Sequence, residues 1–158
     1  MATPAQPAVP AATGRVRALP ERRDAAASPA GVLAQVKALA DDGRATEALA
    51  LCEGIATEMK MSAPFHFVRA TVLQELGRWV EAAGALRQAL YLEPDYALAH
   101  FVLGNLAWRA GDERAAAKHF ATLARLLQAL PAESVLADSD GMTTGELRAM
   151  VPETLGRR

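Results

Sequence analysis

Apolar residues recur at three- and four-residue spacing from residue 29 to residue 130, and proline becomes rare there. This spacing places apolar side chains on one face of a helix, and short breaks that contain glycine separate the periodic segments. The pattern predicts six helices of three to four turns, at 29–42, 45–59, 63–76, 79–92, 97–110 and 113–129. Because the connections are only a few residues long, consecutive helices must run antiparallel and form hairpins.

The same segment repeats with a period of 34 residues. Five sets of residues recur in this register: the glycines Gly43, Gly77 and Gly111, the alanines Ala48, Ala82 and Ala116, and the pairs His66/His100, Phe67/Phe101 and Val68/Val102. Each glycine falls where the chain turns between two helices, and a residue without Cβ tolerates positive φ there. Each alanine falls early in the second helix of a hairpin, where a larger side chain would force the helices apart.

The repeating unit resembles the tetratricopeptide repeat, whose signature is Trp-x2-Leu-Gly-x2-Tyr, then Ala-x3-Phe, then Pro. The third unit matches best, and the signature residues of the last two units include Ala82, Pro94, Leu103, Gly104, Ala116 and Phe120. The first unit is degenerate, with Lys60 in place of the proline, which is common for a terminal repeat. The resemblance implies an all-α fold, a right-handed α-solenoid of three helical hairpins: unit 1 (29–62), unit 2 (63–96) and unit 3 (97–130). An unrelated helical bundle with accidental periodicity is the alternative.

The two ends of the chain have a different composition. Residues 1–28 are rich in alanine and proline with interspersed arginines, which is typical of a disordered tail or an interdomain linker. Residues 131–158 begin with a proline and a polar turn, after which one apolar face carries Leu147, Met150 and Val151. We expect a short capping helix there, begun by Thr143 or Thr144 and ended by Pro152, followed by a tail. This helix would cover the leucine-rich end of unit 3.

Composition and charge narrow the classes of partner. The formal net charge is −1, so no overall positive field favours a nucleic acid or an anionic membrane. No apolar run is long enough to span a bilayer, so direct membrane insertion is not expected. The single cysteine, Cys52, excludes an intramolecular disulfide and fits a reducing compartment. We therefore expect a cytoplasmic protein whose partner is another protein or a peptide.

No set of residues predicts catalysis or a bound metal, and no cofactor is expected in this chain. His66 and His100 recur with the repeat, which explains them without a ligand, and His119 has no companion at ligand spacing. Cys52 falls where the repeat carries a buried apolar residue, and a nucleophile would need a base that the sequence does not place.

The first helix of each hairpin lines the concave side of such a stack. The residues expected to face this groove are mostly apolar: Leu33, Lys37, Phe67, Val68, Thr71, Phe101, Val102, Asn105 and Trp108, with Arg109 at the rim. Such a surface suits an amphipathic helix or an extended peptide, with Phe101 and Trp108 as the strongest anchor candidates. In the alternative, Phe67 and Phe101 belong to the core or are covered by the chain's own N-terminal segment.

Two stretches resemble the C-terminal repeat region of CheR-type chemoreceptor glutamate methyltransferases. They are Ala89–Gly104, with the sequence ALYLEPDYALAHFVLG, and Ser139–Leu147, with the sequence SDGMTTGEL. The resemblance covers residues 63–151 and implies a parent protein that transfers a methyl group from S-adenosylmethionine to receptor glutamates. The catalytic domain of that family has no counterpart here. The implied role is to choose or restrain partners, such as a chemoreceptor or another chemosensory protein.

Two further hypotheses stay open beside the chemosensory interaction module. A free-standing tetratricopeptide adaptor, for instance in secretion or envelope assembly, predicts a complete protein at this length. An enzyme hidden in the helical fold would require a polar pocket, and the predicted groove is mostly apolar. The sequence favours the chemosensory module first and the adaptor second, with the enzyme far behind.

Overall fold

The structure, a computed structural model, describes residues 28–152 of the chain. Within this range it contains seven α-helices: α1 Pro29–Asp41, α2 Ala45–Ile55, α3 Ala63–Glu75, α4 Trp79–Leu92, α5 Ala97–Arg109, α6 Glu113–Gln128 and α7 Thr144–Met150. Apart from Ser28, the predicted N-terminal tail or linker lies outside the described residues, as does the end of the C-terminal tail. No helix in the described range has the length and apolar character that crossing a membrane requires.

The observed helices begin and end close to the predicted bounds, except at the end of α2. The prediction extended this helix to residue 59, whereas it ends at Ile55 and a turn follows. The Ser62 side chain accepts a hydrogen bond from the Phe65 amide at 3.3 Å and so caps α3, whose first turn contains Pro64. Because a capping residue has extended backbone, the chain must leave the helical conformation before it reaches Ser62.

The three repeat glycines lie in equivalent turns between the helices of each hairpin. Gly43, Gly77 and Gly111 have φ angles of 77°, 72° and 81°. In unit 2 the Gly77 amide donates to the Gln74 carbonyl and the Arg78 amide donates to the Leu73 carbonyl, both at 2.9 Å. These bonds satisfy carbonyls at the end of the first helix and require a left-handed residue at the glycine.

Buried side chains also follow the repeat. Three alanines, Ala48, Ala82 and Ala116, are fully buried, as are the residues four positions later, Cys52, Leu86 and Phe120. In unit 3 Gly104 makes room for Phe120, since a Cβ atom on Gly104 would lie 2.9 Å from the Phe120 ring. The glycine is therefore required by close helix packing rather than by its backbone conformation.

Contacts between helices run mainly within each hairpin and to its neighbour in sequence, through α2 with α3, α1 with α3 and α4 with α5. The buried side chains form two clusters. One cluster joins unit 1 to α3, and the other joins units 2 and 3 to the C-terminal segment. Contacts limited to nearest neighbours are the property that defines a solenoid.

The C-terminal helix α7 begins at a capping box. The Glu146 amide donates to Thr143 Oγ1 at 3.2 Å, and the Thr143 amide donates to Glu146 Oε2 at 2.7 Å. Thr143 is therefore the cap, and Thr144 is buried with its hydroxyl donating to the Ser134 carbonyl at 3.2 Å. Two amides at the helix start are satisfied by this exchange, which makes a short helix possible.

This helix covers the end of unit 3 only in part. Leu147 is fully buried in the cluster that contains Leu123 and Leu127. Met150 was expected on the same buried face but is 52% exposed, and Leu130 is 41% exposed. The expectation for Met150 is therefore wrong, whereas Val151 is partly buried and packs against this cluster.

The loop before α7 supplies further cover. Leu136 is buried, and its amide donates to the Met142 carbonyl at 2.9 Å. The Tyr96 hydroxyl donates to Asp138 Oδ2 at 2.9 Å. Burial, together with this hydrogen bond to Asp138, raises the pKa of Tyr96, so the hydroxyl keeps its proton. The loop thereby joins the C-terminal segment to the start of α5.

Candidate functional site

Two of the predicted groove residues belong to the core. Phe67 is 9% exposed, and its ring centroid lies 5.3 Å from that of Tyr96. Val68 is 3% exposed and packs in the cluster that contains Val36 and Cys52. Neither side chain is available as an open binding surface, which corrects the expectation for unit 2.

The predicted groove residues Leu33 and Lys37 on α1 and Thr71 on α3 are partly buried. The Thr71 hydroxyl donates to the Val68 carbonyl at 2.7 Å. Its donor is therefore used within its own helix. These three residues leave part of their surface accessible, but none of them is an exposed aromatic side chain.

The exposed aromatic residue of the predicted groove lies on α5. Phe101, Val102 and Asn105 are partly buried, and Trp108 is 51% exposed. Their spacing of one, four and seven residues from Phe101 places them on one side of the helix. We call these four residues the α5 face. Aromatic side chains around a central amide are typical of peptide-binding surfaces.

A second candidate surface, which we did not predict from the sequence, is a cleft of about 610 Å³ between α4, α5 and α6. Its apolar lining consists of Trp79, Val80, Ala83, Leu103, Leu106, Ala107, Ala110 and Ala115. Its polar lining consists of Arg87, Arg109, Asp112 and His119. We call this space the α4–α6 cleft. Arg109, predicted at the groove rim, thus contributes to the cleft.

The directions of the helices determine how the cleft is arranged. As second helices of their hairpins, α4 and α6 run the same way, and α5 runs opposite to both. Trp79, Arg109 and Asp112 therefore lie at one end, and Arg87 and His119 lie at the other. The helical rise from residue 79 to residue 87 makes this separation about 12 Å. Such a length accommodates about two turns of helix or a few extended residues.

A signal for the cleft was present in the composition of α5. This helix carries one apolar stripe through Phe101 and Val102 and another through Leu103, Leu106 and Ala107. A helix that is apolar on several sides must be covered on several sides or leave apolar surface exposed. Sequence periodicity alone could not predict that a cleft would open beside the second stripe.

The recurring histidines have a structural role. His66 Nε2 lies 2.8 Å from the Lys60 carbonyl oxygen, and His100 Nε2 lies 2.7 Å from that of Pro94. Because a carbonyl only accepts, Nε2 carries the proton in both rings. Each histidine therefore ties the loop that precedes its hairpin to the first helix, which explains its recurrence with the repeat.

His119, which has no companion at metal-ligand spacing in the sequence, lies beside His100 in the structure. Its Nδ1 lies 3.2 Å from Nδ1 of His100. Since His100 uses its Nε2 proton on Pro94, its Nδ1 accepts, and the Nδ1 proton belongs to His119. Burial lowers the pKa of His119, and the nearby charges of His100, Lys118 and Arg87 lower it further. The neutral form of His119 is therefore favoured.

Two features of the described residues bear on chemical reactivity. Cys52 is fully buried, and burial raises the pKa of its thiol to about 11, although Arg69 acts in the opposite direction. The thiol therefore stays protonated near neutral pH and is a poor nucleophile. No group of three or more histidine, cysteine, aspartate or glutamate side chains between residues 28 and 152 is arranged to hold a metal ion.

Solved structures with a similar fold include MamA and PcrH. The match to MamA has a TM-score of 0.59 at 19% sequence identity and covers 66% of this chain but 63% of MamA, less than two thirds of its length. The match to PcrH in complex with the chaperone binding region of PopD has a TM-score of 0.63 at 16% identity, covering 78% of this chain and 87% of that one. No protein-family model matches this chain, and no curated protein matches its sequence. The fold is thus an all-α solenoid of tetratricopeptide-type hairpins.

Proposed function

We propose that this chain is a protein-interaction module that binds a peptide segment of another protein through the α5 face. The observation that carries the proposal is that Trp108 is 51% exposed beside Phe101 and Val102, which are also partly exposed. The unit 2 equivalents of Phe101 and Val102 are buried. Exposed aromatic residues contribute a large share of interface energy because each buries much apolar area at little entropic cost.

The fold comparison supports a peptide-like partner. PcrH has a similar fold, and its structure contains the chaperone binding region of PopD. By analogy we expect this chain to hold a segment with apolar anchors. An adaptor or chaperone-like role fits this fold at least as well as any narrower role.

Selection from a random dodecapeptide library, followed by fluorescence titration, tests the proposal. The chain contains two tryptophans, so in the Trp79→Phe protein Trp108 is the only fluorescent reporter of that type. Selected peptides should change Trp108 emission. In the otherwise native protein, Phe101→Glu should weaken their binding by about tenfold or more while far-UV circular dichroism stays unchanged.

A matched control substitutes an exposed aromatic residue elsewhere. Tyr91 on α4 is 80% exposed and lies outside the α5 face. Tyr91→Glu should bind the selected peptides as tightly as the wild type. If folded Phe101→Glu retained wild-type affinity and Trp108 emission did not respond, the α5 face would not be the binding site.

A narrower function, as the partner-binding region of a chemosensory glutamate methyltransferase, rests on the resemblance of Ala89–Gly104 and Ser139–Leu147 alone. An antibody raised against this module tests it in source cells. A species much heavier than this chain that also transfers methyl groups from S-adenosylmethionine to receptor glutamates would support it. A species of this chain's own mass would instead favour the adaptor alternative in secretion or envelope assembly.

A further inference from the structure

We propose that the α4–α6 cleft is a second docking site, which receives an apolar segment of a partner protein together with a carboxylate of that segment. The site is separate from the α5 face and does not depend on the function proposed above. Leu103, Leu106 and Ala107 form their own stripe on α5, on a different side of the helix from Phe101. A guest in the cleft therefore leaves the α5 face open.

The cleft presents apolar surface that no described residue covers. Trp79 is 47% exposed and Val80 is 85% exposed at its entrance. The volume of about 610 Å³ falls in the ordinary range of ligand pockets. Since the floor is aliphatic and the entrance aromatic, the guest must contribute apolar side chains.

The charged side chains of the cleft indicate which polar group the bound segment should carry. The ion pairs among the described residues are Arg44–Glu47, Arg69–Glu53 and Arg78–Glu81. Arg87 and Arg109 are therefore not paired with any described carboxylate. Asp112, the acidic residue of the lining, accepts from the Ala115 amide at 3.0 Å as the cap of α6. This excess of positive charge beside an apolar floor is complementary to an acidic apolar segment.

His119 couples this site to pH. The charged or titratable groups that act on it are His100 from α5, Arg87 from α4 and Lys118 on its own helix. His100 occupies Nδ1 of His119, which leaves Nε2 as the nitrogen available to a ligand. A carboxylate beside Nε2 favours the protonated ring, so binding takes up a proton. The affinity should therefore increase as the pH falls from about 7.5 to about 6.

Charge also distinguishes a foreign guest from the chain's own N-terminal segment. Residues 1–27 contain four arginines against two acidic residues, Glu21 and Asp24. A net positive segment is repelled by the same charges that attract an acidic one. The complementarity therefore favours a segment of a partner protein.

The test uses the Trp108→Phe protein, in which Trp79 is the only tryptophan left. The probes are a heptapeptide of leucine and alanine with one central glutamate, and its twin with glutamine. The glutamate peptide should shift Trp79 emission and bind about tenfold more tightly than its twin. Arg87→Gln should remove most of this preference. Arg125→Gln, on α6 but outside the cleft, should leave it unchanged.

The pH dependence provides a second readout. Binding of the glutamate peptide should tighten as the pH falls from about 7.5 to about 6, and His119→Gln should abolish this change while the protein stays folded. Equal affinity of the two peptides at every pH would overturn the carboxylate assignment. A response of Trp108 in the Trp79→Phe protein, together with no response of Trp79 in the Trp108→Phe protein, would place the peptide on the α5 face and refute the second site. A shift of Trp79 that depends only on protein concentration would identify a second copy of this chain as the occupant instead.

Discussion

Phe67 of unit 2 and Phe101 of unit 3 occupy equivalent positions on the first helix of their hairpins. Phe67 is 9% exposed because Tyr96, the residue that precedes α5, packs against its ring. The residue one repeat after Tyr96 is Leu130, which is 41% exposed, and Phe101 stays partly exposed. In this pair of units, the ring of Tyr96 covers the face of unit 2, whereas the face of unit 3 stays partly exposed. The last described hairpin keeps its face accessible, and the α5 face results.

A second difference between the two units concerns the size of paired core residues. Unit 3 combines Gly104 with Phe120, and unit 2 has Ala70 and Leu86 at the same positions. Ala70, Leu86 and Phe120 are all fully buried. A smaller residue on the first helix is thus matched by a larger one on the second, which keeps the packing dense in both hairpins.

The largest expected effect on stability is a difference between alanine substitutions at the two equivalent phenylalanines, Phe67 and Phe101. Phe67→Ala should lower the free energy of unfolding by about 3–5 kcal/mol, because it leaves a cavity in the core. Phe101→Ala should cost less than half as much, because its side chain is already partly in water. Urea denaturation followed by far-UV circular dichroism measures both. Equal losses would contradict the assignment of Phe67 to the core and Phe101 to an accessible face.

Overpacking at the helix crossings should affect the two units alike. Ala82→Leu and Ala116→Leu should each destabilise the protein by about 1–3 kcal/mol, because both alanines are fully buried where the helices approach. Ala50→Leu, at an exposed position of α2, is the matched control and should change stability little. Thermal melting of the three variants measures the effect. Unchanged melting of the first two would contradict the repeat assignment.

A double-mutant cycle tests the exchange of sizes between units. Gly104→Ala should be destabilising by about 1 kcal/mol, because overpacking against the Phe120 ring exceeds the gain in helix propensity. In a Phe120→Leu background the same change should become neutral or stabilising, since the pair then matches unit 2. The coupling energy from urea denaturation should be about 1–2 kcal/mol. Additive effects would mean that the two positions do not share one space.

The smallest expected effect concerns the histidine pair, which unit 2 lacks because Ala85 stands at the position of His119. Burial lowers the pKa of His119 below its ordinary value of 6.5. As the pH falls, His119 therefore becomes protonated in the unfolded chain at a higher pH than in the folded protein. The contribution of His119 to the free energy of unfolding is fully present above about pH 6.5. It is lost as the pH falls from there toward the lowered pKa. His119→Ala should flatten the pH dependence of the unfolding free energy between about pH 5 and 6.5. An unchanged profile would show that folding does not lower the pKa of His119.

Much of the fold could be predicted because its signals are local and repeated. The positive-φ turns at Gly43, Gly77 and Gly111 and the close crossings at the repeat alanines depend on short-range geometry. The all-α solenoid, an expectation from sequence, is confirmed. The extent of capping was harder to predict, because the exposure of Met150 depends on how far a short helix reaches across unit 3.

The candidate sites were predicted less completely than the fold. The anchors Phe101 and Trp108 follow from the position of α5 in the repeat, but the burial of Phe67 depends on Tyr96, which lies 29 residues later in the chain. The histidine pair joins residues 19 positions apart on two helices, and no spacing within one helix indicates it. The sequence therefore predicted which residues lie on the first helices of the hairpins. Whether each of these side chains is accessible depends on the helices and loops that pack beside it.

Three features follow from the amino-acid sequence: the number of hairpins, their register and the small residues where the helices cross. Periodicity and side-chain size act within each unit and recur every 34 residues. Three other features follow only from the folded arrangement: which of two equivalent surfaces is covered, where the α4–α6 cleft opens and that His119 contacts His100. These features depend on contacts between helices, and identical residues in successive units acquire different environments because the elements stacked on them differ.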